Sequence, residues 1–307
     1  MPRRFYILLP VALVSALLLF VGGPDYDSLR SFRYGWGIGH LICFALWSYL
    51  YALWRSDRSF ERLLLEIVVL SLLIGGLTEI IQAGIGRQGS WLDLGSDLVG
   101  GLCGVALAPQ RAGYLQYWAV KLFRVAVVVL TLWGLLPFAR VVLDDLIAWR
   151  QFPLLSGFET PFEASRWSGS AARSIDRDIS FAGQASLRVH LSTQRYSGIG
   201  LKDFPQNWDG YRAVGLQVYN PAADPLTLHF RIHDRFHRQY DNAYSDRFNT
   251  SFQLHTGWNQ LRVTLADVVA APQERALDLR QVAGLGVFVG KLERPRTIYL
   301  DEVRLFP

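Results

Sequence analysis

Residues able to do chemistry fall into two groups, and the first lies in apolar surroundings. Glu79 and Gln82 stand three apart, Arg87 follows, then Asp93 and Asp97 stand four apart, with His40 well upstream. On helices, each of those two spacings puts its pair on one face. A carboxylate at the centre of a bilayer costs about 2.5–3.5 kcal/mol on insertion scales, so such residues turn inward and have a role. One role is a structural network, with Arg87 neutralising carboxylates and Gln82 satisfying leftover donors. The other is a shallow polar pocket for a lipid head group or a lipid-linked sugar. The His40, Glu79 and Asp93 set could also carry acid–base chemistry.

The second group follows a strand pattern. In Leu226 to His233, Leu228, Phe230 and Ile232 point one way, and His229, Arg231 and His233 the other. Asp234, His237 and Tyr240 come next, then Tyr244, Asp246 and Arg247. Carboxylates, guanidiniums and rings are what sugars need: paired hydrogen bonds to neighbouring hydroxyls and apolar surfaces for C–H stacking. A solvated sheet face alternates polar residues as well, and Asp246-Arg247 reads equally as a local ion pair. His233 and His237 lack further ligands at metal spacing, which argues against a metal there.

The elements that must position the first group are hydrophobic helices. Of 307 residues, 51% are hydrophobic and 19% charged, with the apolar excess before residue 155. Five runs are near the ~20 residues that cross a hydrocarbon core: Phe5 to Val21, Trp36 to Trp54, Arg62 to Gly84, Trp91 to Ala108 and Val120 to Ala139. Pro137 is placed to kink or end the last. With the N-terminus inside, the cytoplasmic segments hold Arg3, Arg4, Arg55, Arg58, Arg62, Arg111, Lys121 and Arg124, against Arg30, Arg33 and Arg87 opposite. That asymmetry predicts a cytoplasmic N-terminus, and an odd number of spans puts the rest outside. His40, Glu79, Gln82, Arg87, Asp93 and Asp97 then converge at the outer face.

Those residues resemble the VanZ-like family, whose pattern is a His opening an early helix, then Glu-x-x-Gln, an Arg, an Asp, an Asn four residues on, and glycines. His40, Glu79, Gln82, Arg87, Asp93, Gly100 and Gly104 match, and Asp97 stands where the family has Asn. The resemblance covers roughly residues 30–108. It implies bacterial cell-envelope biology, with a link to glycopeptide (teicoplanin) resistance, and supplies no reaction.

From about residue 156 the pattern changes to short alternating runs separated by turns such as Asn220-Pro221 and Thr256-Gly257, which predicts an antiparallel sandwich. Seven strands are expected: Ser186 to Leu191, Ala213 to Tyr219, Leu226 to His233, Phe248 to Leu254, Asn259 to Leu265, Leu285 to Val289 and Thr297 to Phe306. The opening Gly157-Phe158-Glu159 and the closing Tyr299 to Leu305 resemble the ends of galactose-binding-like jelly rolls, the fold of many carbohydrate-binding modules. That resemblance implies a structural calcium ion held by Glu159 and Asp301. Pairing with a nearby cation such as Arg304 is the other reading of these two residues.

The expected architecture is therefore multi-domain: an α-helical transmembrane bundle over 1–140, an interfacial linker over 141–155, and an all-β antiparallel jelly-roll sandwich over 156–307. Cys43 and Cys103 both lie in apolar runs and offer no disulfide framework. Basic runs are absent, which argues against nucleic acid. No nucleophile elbow, P-loop or zinc motif is present. The favoured function is binding at the bacterial plasma membrane, to membrane lipid and to envelope glycan or lipid-linked sugar. The alternative is an enzyme acting on a lipid-linked envelope precursor.

Overall fold

The computed structural model describes residues 3–19, 28–84, 91–109 and 114–307. The chain forms two compact units, Met1–Val142 and Leu143–Pro307. Helices α1 (Arg3–Leu18), α2 (Arg30–Trp54), α3 (Phe60–Gly84), α4 (Trp91–Leu107) and α5 (Tyr114–Gln151) come first. Each coincides with one expected run. Among the described residues, three stretches are long and apolar enough to cross a membrane: Arg30–Trp54, Phe60–Gln82 and Tyr117–Gln151. α1 has 16 residues and α4 has 17. Arg87 lies outside the described residues.

The largest difference from expectation is α5, which runs 38 residues with Pro137 inside it. A proline removes one N–H and crowds one turn, but strong helix formers stand on both sides here (Leu135, Leu136, Ala139, Arg140), so the helix continues past it. The stretch 141–155, expected as a separate linker, is consequently helix through Gln151, followed by strand from Leu154.

Small residues set the packing of the helical unit. A Cβ at Gly104 would stand 2.5 Å from the Ala45 carbonyl oxygen and 2.6 Å from the Tyr49 nitrogen, so α4 and α2 meet backbone to backbone. Gly100 meets the Leu41 backbone, and Gly101 meets Ser71 of α3. α1 is fixed to α2 by the Trp47 indole N–H, which donates to Ser15 Oγ at 3.0 Å and to the Ala12 carbonyl at 3.1 Å. The remaining surface is apolar: Leu65, Leu73, Ile80, Leu122, Leu132 and Trp133 are each at least 64% exposed.

The second unit is a sandwich of two antiparallel sheets. Its strands are β1 (Leu154–Ser156), β2 (Trp167–Gly169), β3 (Ala172–Asp176), β4 (Ser186–Leu191), β5 (Tyr196–Leu201), β6 (Ala213–Asn220), β7 (Leu226–Asp234), β8 (Phe248–Leu254), β9 (Gly257–Thr264), β10 (Val282–Gly290) and β11 (Arg296–Phe306). A short helix, α6 (Leu265–Ala270), follows β9. One sheet runs β3-β4-β11-β6-β9 with β1 added at β11, and the other β2-β5-β10-β7-β8. All seven expected strands are present. The four others escaped the sequence pattern for plain reasons: β1 and β2 have three residues each, β3 is mostly exposed, and β5 is diluted by Gly198 and Gly200. Alternate residues fill a shared core around Trp167, Trp208, Leu228, Phe230, Val287 and Leu300.

Two buried charges organise the start of this unit. Glu163 accepts from the backbone N–H groups of Gly157 (2.6 Å), Phe158 (2.7 Å) and Thr160 (3.2 Å), holding a turn in which Phe158 has φ of 64°. Arg166 donates through both Nε (2.9 Å) and a terminal nitrogen (2.6 Å) to Asp144 Oδ1, and through the other terminal nitrogen to the Leu155 carbonyl. Both side chains are 1% exposed, so the pair carries the last turns of α5 into the sandwich. Removing one partner of such a pair typically costs about 3–5 kcal/mol.

Candidate functional site

In the helical unit, His40 Nδ1 lies 2.9 Å from Asp97 Oδ1, with both side chains fully buried. Asp97 is thus the partner of the histidine. Asp93 and Glu79 lie near enough for their charges to act on His40. Asp93 also faces Gly37, where a Cβ would stand 3.4 Å from its Oδ1. Gly75 of α3 leaves the room that Asp97 needs, since a Cβ there would stand 2.6 Å from Oδ2. Gln82 turns elsewhere and donates to the Leu19 carbonyl at 2.9 Å. Four of the six expected cluster residues therefore converge, Gln82 caps α1, and Arg87 is outside the described residues.

The second candidate surface is the outward face of the β2-β5-β10-β7-β8 sheet. Strand register lines up two rows across it. One reads Asn249, Arg231, Gly286, Gly200, Ser168; the other reads Ser251, His229, Phe288, Gly198. The second row carries an aromatic ledge: His229 stacks on Phe288 with ring centres 5.1 Å apart, and Tyr196 meets the other side of Phe288 at 6.0 Å. Tyr196 is 58% exposed.

The first row has a glycine floor. None of its glycines has positive φ, so these positions sit in extended backbone where a side chain would ordinarily strengthen the strand. Space is what they provide. Arg231 lies over Gly286, whose Cβ would be 2.9 Å from its Nε, and the His233 ring lies over Gly284. Above Gly200 no side chain stands within 4 Å. The result is a shallow trough bordered by guanidinium on one side and rings on the other.

Arg247 joins this border. Its Nε donates to Asn249 Oδ1 at 2.9 Å, and its guanidinium lies 5.4 Å from the Tyr244 ring centre. Burial and the neighbouring Arg231 both hold Arg247 below the usual guanidinium range. Burial above all, with His237, Arg231 and Arg247 nearby, pushes His233 down to about 3. The imidazole is therefore neutral at physiological pH.

Asp234, His237 and Asp246, expected on the same surface, are buried as a brace for it. Arg275 grips both carboxylates: its terminal nitrogens reach Asp234 at 2.5 and 2.7 Å, while Nε and one terminal nitrogen reach Asp246 at 2.7 and 2.8 Å. Asp234 also accepts from the backbone of Phe236 and Asp278, and His237 Nδ1 bonds Asp246 at 3.1 Å. These bonds, with Arg275 first, hold Asp246 below the usual carboxylate range. The partner of Asp246 is thus Arg275 and not the adjacent Arg247. Tyr240 stands over Arg275, whose guanidinium is 5.1 Å from its ring centre. Among the described residues, no group of three or more His, Cys, Asp or Glu is gathered as a metal site.

Glu159 and Asp301 close on one loop from two sides. Glu159 Oε1 accepts from the N–H groups of Gln184 and Ala185 at 2.8 and 3.1 Å. Asp301 Oδ2 accepts from Phe181 and Ala182 at 2.8 and 3.1 Å, and its Oδ1 from Glu302 at 2.8 Å. Arg304 pairs with Glu302 rather than with either. Burial pushes the Asp301 carboxyl up.

Sequence reasoning missed Arg275, Phe288 and Tyr196. Arg275 sits in a loop with no periodic signal, and the two rings come from strands 92 residues apart that only the sheet order brings together.

No family model and no curated protein matches the sequence. Among solved structures, the chain is similar to a family 11 carbohydrate-binding module from Clostridium thermocellum in complex with a β-1,3-1,4-mixed-linked tetrasaccharide. The identity is 13%, half of this chain and 94% of that one are covered, and the TM-score is 0.38. A xylan-binding domain from Paenibacillus barcinonensis gives 16% identity, 50% and 93% coverage, and a TM-score of 0.34. An exo-β-agarase gives 15%, 50% and 24%, and 0.41.

Replacing Arg275 by Ala leaves Asp234 and Asp246 buried without their cation, and should destabilise the sandwich by ~3–5 kcal/mol. Chemical denaturation monitored by tryptophan fluorescence measures this. A loss below about 1 kcal/mol, the range of an exposed pair, would show that Arg275 is not the brace.

Proposed function

We propose that the chain is a bacterial envelope protein whose sandwich holds glycan, or a lipid-linked sugar, beside the outer leaflet of the plasma membrane. The observation that carries this reading is the outward sheet face, where a ledge of rings borders a bare glycine trough with hydrogen-bonding side chains along its far edge. Rings supply flat apolar surface for sugar C–H groups, and Arg, Asn and His supply directional donors and acceptors.

Embedding of the helical unit is supported by its exposed apolar side chains and by three stretches of spanning length. An apolar surface of that extent is not tolerated in water. The VanZ-like resemblance, carried in sequence by His40, Glu79, Gln82, Arg87, Asp93, Gly100 and Gly104, supports the bacterial envelope as the setting. The Arg and Lys asymmetry supports a cytoplasmic N-terminus and an extracytoplasmic sandwich. A C-terminal reporter active in the cytoplasm and silent outside it would overturn that orientation.

The binding reading is tested by a glycan array probed with the full-length protein. Phe288→Ala and Tyr196→Ala should each weaken binding by about tenfold, the effect of losing ~1–1.5 kcal/mol of ring contact. Retention of full affinity by both variants would remove the ledge from the site.

We also propose that calcium joins Glu159 and Asp301. The residues fit an oxygen-ligated cation in type, both being carboxylates drawn to one loop whose carbonyls could complete the six to eight ligands calcium takes. The ion would tie the opening turn to β11. Calcium at ~100 times its Kd should add ~2.7 kcal/mol of stability and raise the melting midpoint. An unchanged midpoint, equal in wild type and Asp301→Ala, would leave the two carboxylates as caps for backbone N–H groups alone.

A further inference from the structure

The other sheet, β3-β4-β11-β6-β9, has an outward face of its own, and one cross-strand row on it is aromatic. Register aligns Arg188, Tyr299, Tyr219 and Trp258 on β4, β11, β6 and β9. Alternate residues Val189, Leu300, Val218 and Leu261 fill the core, so the row points away from it. The rings touch in order: Trp258 meets Tyr219 with centres 5.3 Å apart, and Tyr219 meets Tyr299 at 5.9 Å. A fourth ring, Phe181, meets Trp258 at 5.4 Å and is 50% exposed. Arg188 closes the opposite end, with its guanidinium 5.5 Å from the Tyr299 ring centre and paired with Asp176.

A solvated sheet face ordinarily alternates polar side chains, yet these four rings lie outside the apolar core. Phe181 is also deliberately held. It belongs to the loop between β3 and β4, whose backbone is fixed by two carboxylates. Asp301 accepts from the N–H groups of Phe181 and Ala182, and Glu159 from those of Gln184 and Ala185. A ring presented to water on a fixed backbone leaves little ordering for a ligand to impose. Beside the rings lie two side-chain amides: Gln217 and Gln260 are register partners, each two residues along from Tyr219 or Trp258 on the same face. An amide offers donors and an acceptor without charge. Rings with amides alongside match a neutral sugar, whose C–H groups need flat apolar surface and whose hydroxyls need both kinds of partner. An anionic lipid surface calls for several free cations, whereas Arg188 already has Asp176.

We propose that this face is a second saccharide platform, with Phe181 and Trp258 supporting a sugar ring and Gln217 and Gln260 meeting its hydroxyls. The proposal takes its class of ligand from the glycan-binding reading and uses none of the residues of the trough. The two sheets turn their outward faces away from each other, so a short glycan on one face does not reach the other. With both faces occupied, one sandwich links two glycan strands, or two distant stretches of one.

The test is calorimetric titration of the full-length protein in nanodiscs of zwitterionic lipid. The probes are neutral hexasaccharides of β-linked glucose, xylose and galactose. Wild type should bind two molecules of at least one probe, and Phe181→Ala/Trp258→Ala and Phe288→Ala/Tyr196→Ala should each keep one. Melting midpoints separate loss of a site from loss of the fold. Should the Trp258 variant melt early, Phe181→Ala alone, which removes a loop ring outside the core, should weaken one of the two sites about tenfold. A single site lost only in Phe288→Ala/Tyr196→Ala would overturn the second platform and leave glycan binding standing. A single site lost only in Phe181→Ala/Trp258→Ala would uphold this platform and remove the trough. Binding to vesicles of anionic lipid that Phe181→Ala/Trp258→Ala abolishes, with sugar binding unchanged, would make this a lipid face and overturn the proposal. Failure of all three sugars would remove both readings.

Discussion

A strand in a two-layer sandwich has two faces and can bury one of them, and the candidate site follows from that constraint. On β7 the inward positions Leu228, Phe230 and Ile232 fill the core, which commits His229, Arg231 and His233 to the other side. On β10 the same alternation spends Leu285, Val287 and Val289 on the core and leaves Gly284, Gly286 and Phe288 outward. Glycine on β10, beside a strand that carries Arg231 and His233, lets those side chains lie down across the sheet. The trough is the outcome of that pairing, and it exists only because β7, β10 and β5 are neighbours in space.

Burying charge is costly unless partners are close and well oriented, and the sandwich meets that condition with bidentate arginines. Arg275 spans the gap between the end of β7 and the loop carrying Asp246, so two segments that share no strand pairing move as one. Arg166 does the same for the last turns of α5 and the opening of the sandwich through Asp144. Glu163 satisfies the backbone donors of a tight turn, and in that way stabilises Phe158 in a left-handed conformation that a bulky residue otherwise avoids.

The helical unit solves a different problem. Its buried polar pair, His40 and Asp97, is admitted by glycines: Gly75 makes room for the carboxylate, while Gly100 and Gly104 bring α4 against the α2 backbone. Aspartate rather than asparagine at position 97 places a charge-capable acceptor beside the imidazole. The two residues lie far apart in sequence yet pair at 2.9 Å, so the helix contact and the polar pair support one another.

Two periodicities in the sequence determined the architecture on their own. Long apolar runs placed five helices, and period-two alternation placed seven strands and the polar face of β7, because both signals are local and written in consecutive residues. Local signals also chose the residues of the helical cluster, where a carboxylate among leucines is conspicuous. Tertiary structure alone decided which of them meet. It paired His40 with Asp97, sent Gln82 to α1, and turned Asp234, His237 and Asp246 from expected ligands into a brace for Arg275. It also brought Tyr196 and Phe288 together and carried α5 through Pro137. Sheet order, strand neighbours and the reach of a single arginine depend on which distant segments pack together. A spacing rule confined to one segment does not contain that information.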